Sequence, residues 1–85
     1  MVKVEWTEKA ITDLEKLDKF VAQRILRKVT WFANNFERAI LEPLAGDLKG
    51  IFKLRAGDWR VLYTVEDGTI VIQLIGHRRD IYKIR

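Results

Sequence analysis

Polar and apolar residues alternate over residues 2–6, which is the pattern of a half-buried β-strand. Thr7 then stands where a helix N-cap belongs, and Glu8 follows in the first turn, where an acidic residue is favourable. Apolar residues next recur at the spacing of one helical face, at Ala10, Ile11, Leu14 and Leu17. The pattern predicts a first strand that pairs with a later sheet, followed by a helix over residues 8–17.

A second, longer helix is predicted over residues 19–36, because Asp18 can end the first helix and cap the next. Its apolar stripe consists of Phe20, Val21, Ile25, Val29, Phe32 and Phe36, widened by Leu26 and Trp31, with Arg24, Arg27 and Lys28 off the stripe. Asn34 and Asn35 end the helical region, and residues 37–46, which contain the only proline, are expected to form a loop. The short connection at Asp18 implies an antiparallel helical hairpin.

Residues 48–82 contain three runs rich in β-branched and aromatic residues, separated by the turn signals Ala56-Gly57 and Asp67-Gly68. They predict three consecutive antiparallel strands and a short basic tail. A two-residue hairpin at the second turn would pair Val65 with Ile70, Tyr63 with Ile72, Val61 with Leu74 and Trp59 with Gly76. The same register, carried through the first turn, sets Leu54 opposite Trp59, Phe52 opposite Val61 and Lys53 opposite Arg60.

Because side chains alternate along a strand, these pairs assign one apolar face and one mixed, basic face to the sheet. The basic face is expected to carry Arg60, Leu62, Thr64, Val71, Gln73, Ile75 and His77. The cations of the sheet would therefore gather on one side.

The order of elements, β-α-α-β-β-β, predicts one α+β domain over residues 1–85: an N-terminal helical hairpin packed on a four-stranded, mainly antiparallel sheet. The hydrophobic content of 48%, with 4 Phe, 3 Trp and 2 Tyr, supplies the core of so small a domain. The chain has no cysteine, which excludes disulfides and fits a reducing compartment. It shows no secretion signal and no apolar run long enough to cross a bilayer, so a cytoplasmic location is expected.

The formal net charge is +4 at pH 7, and most of the cations in the second half of the chain fall in or near the predicted strands. From residue 48 onward they are Lys49, Lys53, Arg55, Arg60, Arg78, Arg79, Lys83 and Arg85, with His77 among them. With one histidine and no cysteine, a metal site is not expected, and the glycines match neither a P-loop nor a dinucleotide fingerprint, so no cofactor is expected. Clustered cations without a metal suit a phosphodiester substrate.

Metal-free RNA cleavage needs a base for the ribose 2′-hydroxyl, cations for the phosphorane and an acid for the leaving 5′-oxygen. Arginines suit the phosphorane, and Lys53 opposite Arg60 would be driven toward its neutral, basic form by like charge. His77 could serve as acid or base, and Tyr82 or Trp59 could stack on a base of the RNA. Taken singly, each cation is more often a solvated surface group, and Arg55 would simply pair with Asp58. Only their convergence on one face points to chemistry.

Four stretches, in this order, resemble the RelE/ParE superfamily of bacterial and archaeal toxins. They are Leu48-Lys49-Gly50, Phe52-Lys53-Leu54-Arg55, Gly57-Asp58-Trp59-Arg60-Val61-Leu62-Tyr63 and Gly76-His77-Arg78-Arg79-Asp80-Ile81-Tyr82. The resemblance implies a RelE-like mRNA interferase that cuts messenger RNA in the ribosomal A site and is held inactive by a cognate acidic antitoxin.

By the same resemblance, Lys53 matches a lysine that stabilises or deprotonates, Arg60 and Arg78 match transition-state arginines, and Tyr82 matches a C-terminal tyrosine that orients or stacks the substrate. His77 stands where related members have Lys or His. Lys49, Arg55, Arg79 and Lys83 are the expected contacts to RNA and ribosome. The best-studied branch has a second lysine at the position of Ile51, so either Lys53 or His77 is the candidate base.

Two other functions fit the same pattern. A ParE-like toxin shares the fold and poisons DNA gyrase without cutting RNA, and a degenerate toxin would bind only its antitoxin. The joint presence of the candidate site residues favours the nuclease, because a gyrase inhibitor has no chemical need for them.

Overall fold

The computed structural model describes residues 2–45 and 49–81, and within them five strands form one sheet with two helices on one side. The elements are β1 (Val4–Trp6), α1 (Glu8–Glu15), α2 (Lys19–Asn34), a 3₁₀ turn (Phe36–Arg38), β2 (Glu42–Pro43), β3 (Phe52–Ala56), β4 (Trp59–Glu66) and β5 (Thr69–His77). The strand order is β1-β5-β4-β3-β2, with β1 parallel to β5 and the other neighbours antiparallel. The predicted α+β class is confirmed, and the strand count is one higher because β2 pairs with β3 within the predicted loop.

Both predicted helix caps are present. The Thr7 hydroxyl accepts a hydrogen bond from the Ala10 N–H at 3.1 Å, and the Asp18 carboxylate accepts one from the Phe20 N–H at 3.0 Å. The predicted ends are each two residues too long, because α1 ends at Glu15 and α2 ends at Asn34. The last turn assigned to α2 by periodicity is instead the separate 3₁₀ turn.

The main core lies between the helices and one face of the sheet. Its buried members are Ala10, Ile25, Val29, Phe32, Ala33, Leu54, Ala56, Val61, Tyr63, Ile70, Ile72 and Ile75. Three residues were wrongly predicted to belong to the buried apolar stripe of α2. Phe20 is 77%, Trp31 53% and Leu26 42% exposed. At 100° per residue Phe20 and Trp31 lie on the side of α2 away from the sheet, and Leu26 lies at the margin of the buried face, beside Ala33.

One extra residue interrupts β5 halfway along. The predicted register holds next to the Asp67-Gly68 turn, but Leu62 pairs with Leu74, which leaves Gln73 without a partner of its own in β4. Such a β-bulge reverses the alternation of side chains beyond it. Ile75 therefore joins the main core, and Leu74, predicted to be in that core, lies on the opposite face.

Helix α1 satisfies the backbone at this bulge. The Thr7 hydroxyl donates to the Gln73 carbonyl at 3.0 Å, and the buried Asp13 carboxylate accepts from the Ile75 N–H at 3.0 Å. β1 ends at Trp6, so β5 has no neighbouring strand on that side beyond Ile72, and these side chains take the place of strand partners.

The turn between β3 and β4 closes on Gly57-Asp58, one residue later than predicted. Ala56 pairs with Trp59, and Gly57 has φ +63°, as in a type II′ hairpin, whose first central position favours glycine. Each β3 residue therefore pairs two positions further along β4 than expected, so the division of β3 into two faces is unchanged while its direct partners differ.

A second, smaller core covers part of the sheet face that is turned away from the helices. It contains buried Leu44, Leu62 and Ile81, with partly buried Ile51 and Leu74 against them. This face is therefore only partly the basic surface that was predicted. Within the described residues no helix combines the length and the apolar character needed to cross a membrane.

Replacing Asp13 with alanine is expected to lower the free energy of unfolding by about 1.5–3 kcal/mol, because the buried Ile75 N–H loses a charged acceptor. Urea unfolding followed by circular dichroism measures the change. Glu15→Ala, which removes an exposed carboxylate from the same helix, is the matched control. Equal losses in the two variants would show that the bulge does not depend on Asp13.

Alkaline pH is expected to destabilise the protein through Tyr63. Burial, followed by the negative charge of Glu42, raises the pKa of Tyr63 to about 12. An unfolded tyrosine titrates near pH 10, so the unfolded chain releases this proton first and the free energy of unfolding falls as the pH rises from about 10 to 12. Tyr63→Phe should flatten this part of the stability–pH curve measured by urea unfolding, whereas curves that stay parallel would contradict the assignment.

Candidate functional site

Three of the predicted site residues lie on the sheet face that is turned away from the helices. Arg55 of β3 pairs directly with Arg60 of β4, and Lys53 pairs with Leu62. The prediction that Lys53 faces Arg60 is wrong, because the turn closes one residue later than expected. Lys53 is half-buried and diagonal to Arg60, while Arg55 is exposed.

Arg60 is buried, with only 9% of its surface exposed. Its Nη1 donates to the Gly57 carbonyl at 2.9 Å and to the Trp59 carbonyl at 3.0 Å. These two acceptors belong to the β3–β4 turn, so the guanidinium both supports the turn and is held in one position by it. A cation fixed in this way needs little reorganisation to stabilise a developing negative charge.

Arg78 connects the chain beyond β5 to the same turn. Its N–H donates to the Asp58 carbonyl at 2.8 Å, and its Nε lies 3.6 Å from the Asp58 carboxylate. Asp58 therefore pairs with Arg78 instead of Arg55, the partner expected for it. Both side chains are more than half exposed, so the ion pair itself contributes about 0–1 kcal/mol, and the backbone contact is the firmer link.

His77 lies at the end of β5 on the helix side of the sheet. It pairs with Trp59, and the two ring centroids are 5.3 Å apart in an edge-to-face arrangement. The prediction that His77 shares a face with Arg60 is wrong, because the bulge reverses the alternation and places Gly76 opposite Arg60. The Nδ1 of His77 accepts from the Arg79 N–H at 3.2 Å, so the proton of the neutral ring resides on Nε2.

Ile81 brings the end of the described chain back to the Arg60 face. Its side chain is fully buried, and a Cβ added to Gly76 would lie 2.8 Å from its Cδ1. Gly76 therefore leaves the space that Ile81 occupies. Ile51 stands where the toxins that this sequence resembles have a second lysine. Its side chain packs in the same cluster as Ile81, so it contributes apolar contacts in this chain.

Glu42 is a neighbour of the site that sequence reasoning missed. Residues 42–43 form β2, and this pairing sets Glu42 directly opposite Lys53 at the sheet edge. The adjacent proline favoured a loop, although proline is compatible with an edge strand. Residues 40–44 read Ile-Leu-Glu-Pro-Leu and show no alternation of polar and apolar side chains, so the sequence carried no signal for this strand.

The remaining predicted site residues are Lys49, Arg79, Tyr82 and Lys83. Lys49 and Arg79 are exposed, while Tyr82 and Lys83 lie outside the described residues. No three histidine, aspartate or glutamate side chains of the described chain are grouped so that they could hold a metal ion. The structure thus brings Lys53, Arg55 and Arg60 together, with Arg78 at the adjoining turn.

Comparisons with known proteins point to one group. A family model described as the ParE toxin of type II toxin–antitoxin systems, parDE, matches residues 4–82. The toxin RelG of Mycobacterium tuberculosis is 40% identical over 86 residues, covering 94% of this chain and 94% of that protein.

Solved structures agree in fold. A chain in the crystal structure of the Mycobacterium tuberculosis toxin–antitoxin complex RelBE2 is 30% identical, with a TM-score of 0.77 over 91% of this chain and 98% of its own. A chain of the chromosomal ParDE system of P. aeruginosa is 21% identical, with a TM-score of 0.72 over 91% of this chain and 96% of its own. The second likeness shows the fold alone.

The contact between Gly76 and Ile81 is expected to show strong coupling in a double-mutant cycle. Gly76→Ala should cost about 1–3 kcal/mol by overpacking, and Ile81→Val should cost about 0.5–1.5 kcal/mol by removing Cδ1. Because Ile81→Val removes the atom that the new methyl group meets, the double variant should lose less stability than the sum of the two. Additive losses in urea unfolding would show that the two side chains do not compete for space.

Proposed function

Because the chain belongs to the RelE/ParE family of toxins from type II toxin–antitoxin systems, we propose that it is an mRNA endoribonuclease that acts in the ribosomal A site. The observation that carries the proposal is the register of Arg55 against Arg60, with Lys53 diagonal to them on the same sheet face. A gyrase inhibitor has no chemical need for cations placed in this way.

The cleavage proceeds by attack of the ribose 2′-hydroxyl on the adjacent phosphorus, and no metal ion takes part. The 2′-hydroxyl gives up its proton, the bond from phosphorus to the 5′-oxygen breaks, and the leaving oxygen takes up a proton, so the products are a 2′,3′-cyclic phosphate and a 5′-hydroxyl end. Arg60 and Arg78 stabilise the charge that develops on the phosphorane, Arg60 from a position fixed by the turn carbonyls. Lys53 takes the proton from the 2′-hydroxyl, since it shares the face of Arg60 whereas His77 lies on the other. Tyr82 follows directly after the buried Ile81 in the sequence and orients or stacks the substrate.

A cognate antitoxin holds the toxin inactive. The related chain from RelBE2 was crystallised in a toxin–antitoxin complex. An acidic segment of the antitoxin complements the cations of the site face electrostatically, so its binding and RNA binding exclude each other.

Primer extension on translated mRNA tests the nuclease. The wild-type chain is expected to give codon-linked cuts, and Lys53→Met is expected to reduce their rate by about 100-fold or more, because a group that handles a proton is lost. Arg60→Lys retains a charge but not the paired donors of the guanidinium, and should also cut slowly. Circular dichroism checks that Arg60→Lys folds.

Lys16→Gln is the charge-matched control, because Lys16 is exposed at the end of α1. Cuts that persist in Lys53→Met and Arg60→Lys as in this control would reject the site. A wild-type chain that gives no cuts but causes gyrase-dependent DNA breaks would instead support the ParE-like function. This alternative is kept because the matching family model is described as a ParE toxin.

A further inference from the structure

An open groove runs between α2 and the β3–β4 turn, at the edge of the candidate site. Its volume is about 490 Å³, and its lining residues are Arg24, Arg27, Lys28, Trp31, Arg55, Ala56 and Gly57. Four of these residues are cations, and none of the described residues that line the groove is acidic. The groove thus concentrates positive charge at a concave surface, where it acts most strongly on a polyanion.

The charge of this groove comes from an unusual helix. α2 carries Lys19, Arg24, Arg27 and Lys28 and has no acidic residue over Lys19–Asn34. A solvent-facing helix more often intersperses both signs, since pairs of opposite charge at helical spacing stabilise it. The cations on the outer face of α2 therefore repel one another, and a negatively charged partner would reduce this repulsion.

Two large aromatic side chains stand exposed on the same face. Phe20 and Trp31 are separated by eleven positions, about three helical turns, so they project in nearly the same direction as Arg24 and Arg27. Phe20 is 77% and Trp31 53% exposed. The Lys28 ammonium lies 4.4 Å from the centroid of the Trp31 ring, which is a cation–π contact.

Packing at the turn fixes one wall of the groove. A Cβ added to Gly57 would lie 2.6 Å from Nη1 of Arg24, so the guanidinium rests directly on the glycine. Arg55 lines the groove and also pairs with Arg60 on the candidate site face. Through Arg55, the groove is continuous with the site around the edge of the sheet.

We propose that this groove binds a single-stranded segment of RNA, with its phosphates on Arg24, Arg27 and Arg55 and one base stacked on Trp31. The inference rests on the proposed function in one respect, since it extends the path of the RNA beyond the cleavage site. A basic groove with an exposed aromatic ring is the combination by which proteins hold single strands without reading their sequence.

A protein segment fits this groove less well. A docked amphipathic helix needs a row of apolar contacts about one turn apart. Among the lining residues Trp31 is the only large apolar side chain, and Ala56 is 4% exposed. The lining therefore offers four cations and a single aromatic ring, and lacks the row of apolar side chains that a docked helix requires.

Fluorescence anisotropy with a short, labelled, single-stranded RNA tests the proposal directly. Riboses carrying 2′-O-methyl groups prevent cleavage, so the experiment measures binding alone. Arg24→Gln combined with Arg27→Gln should weaken binding and lower the slope of log Kd against log salt by about 1.4, the value for two lost phosphate contacts on a single strand. Trp31→Ala should raise Kd about tenfold, and Trp31→Phe should retain most of the affinity.

Lys16→Gln, outside the groove, is the control for a simple loss of charge. The proposal is overturned if the groove variants bind RNA like the wild type, if Lys16→Gln weakens binding per charge as much as they do, or if they weaken antitoxin binding alone. Ribosome-dependent cleavage is measured separately. If the chain binds RNA through the groove but never cleaves it, the proposed nuclease is rejected and the groove proposal stands. If the groove variants bind RNA and cleave it like the wild type, the groove proposal is rejected and the nuclease stands.

Discussion

The hydrogen bonds from α1 to the bulge in β5 set the arrangement on which both sheet faces depend. Gln73 is an extra residue, and extra residues in a strand are costly unless the freed backbone groups find partners. Thr7 and Asp13 are those partners. Because they hold the bulge, Ile75 is in the main core and Gly76 is beneath Ile81. The candidate site therefore owes its geometry to a helix on the opposite side of the sheet.

The face that carries the candidate site combines two requirements that usually conflict. It buries Leu62 and Ile81 in an apolar cluster, and it holds the buried guanidinium of Arg60 nearby. Burying a charged group is unfavourable unless it is hydrogen-bonded, and the turn carbonyls of Gly57 and Trp59 meet that need. The same turn thus sustains both the fold and a rigid cation.

Local signals in the sequence were sufficient for the helices, the caps and most of the strands. Thr7 and Asp18 act through contacts two or three residues away, so their pattern alone predicted them. The bulge at Gln73 was not predictable in this way, because it depends on Asp13. The Asp13 carboxylate accepts a hydrogen bond from the Ile75 N–H, which is sixty-two residues away in the sequence. Alternation therefore put Lys53, Arg55 and Arg60 on one face, as observed, but put His77 on the wrong face.

Pairing of β1 with β5 gives the domain a particular order of assembly. The two strands come from opposite ends of the chain, and the Thr7–Gln73 hydrogen bond beside them spans 66 residues. Contacts of such long range form late, after the entropy of closing a large loop has been overcome. During synthesis the helical hairpin can emerge first, but the sheet stays open until nearly the whole chain has been made. The sheet face that carries Arg60 is consequently incomplete until the final strand has been made.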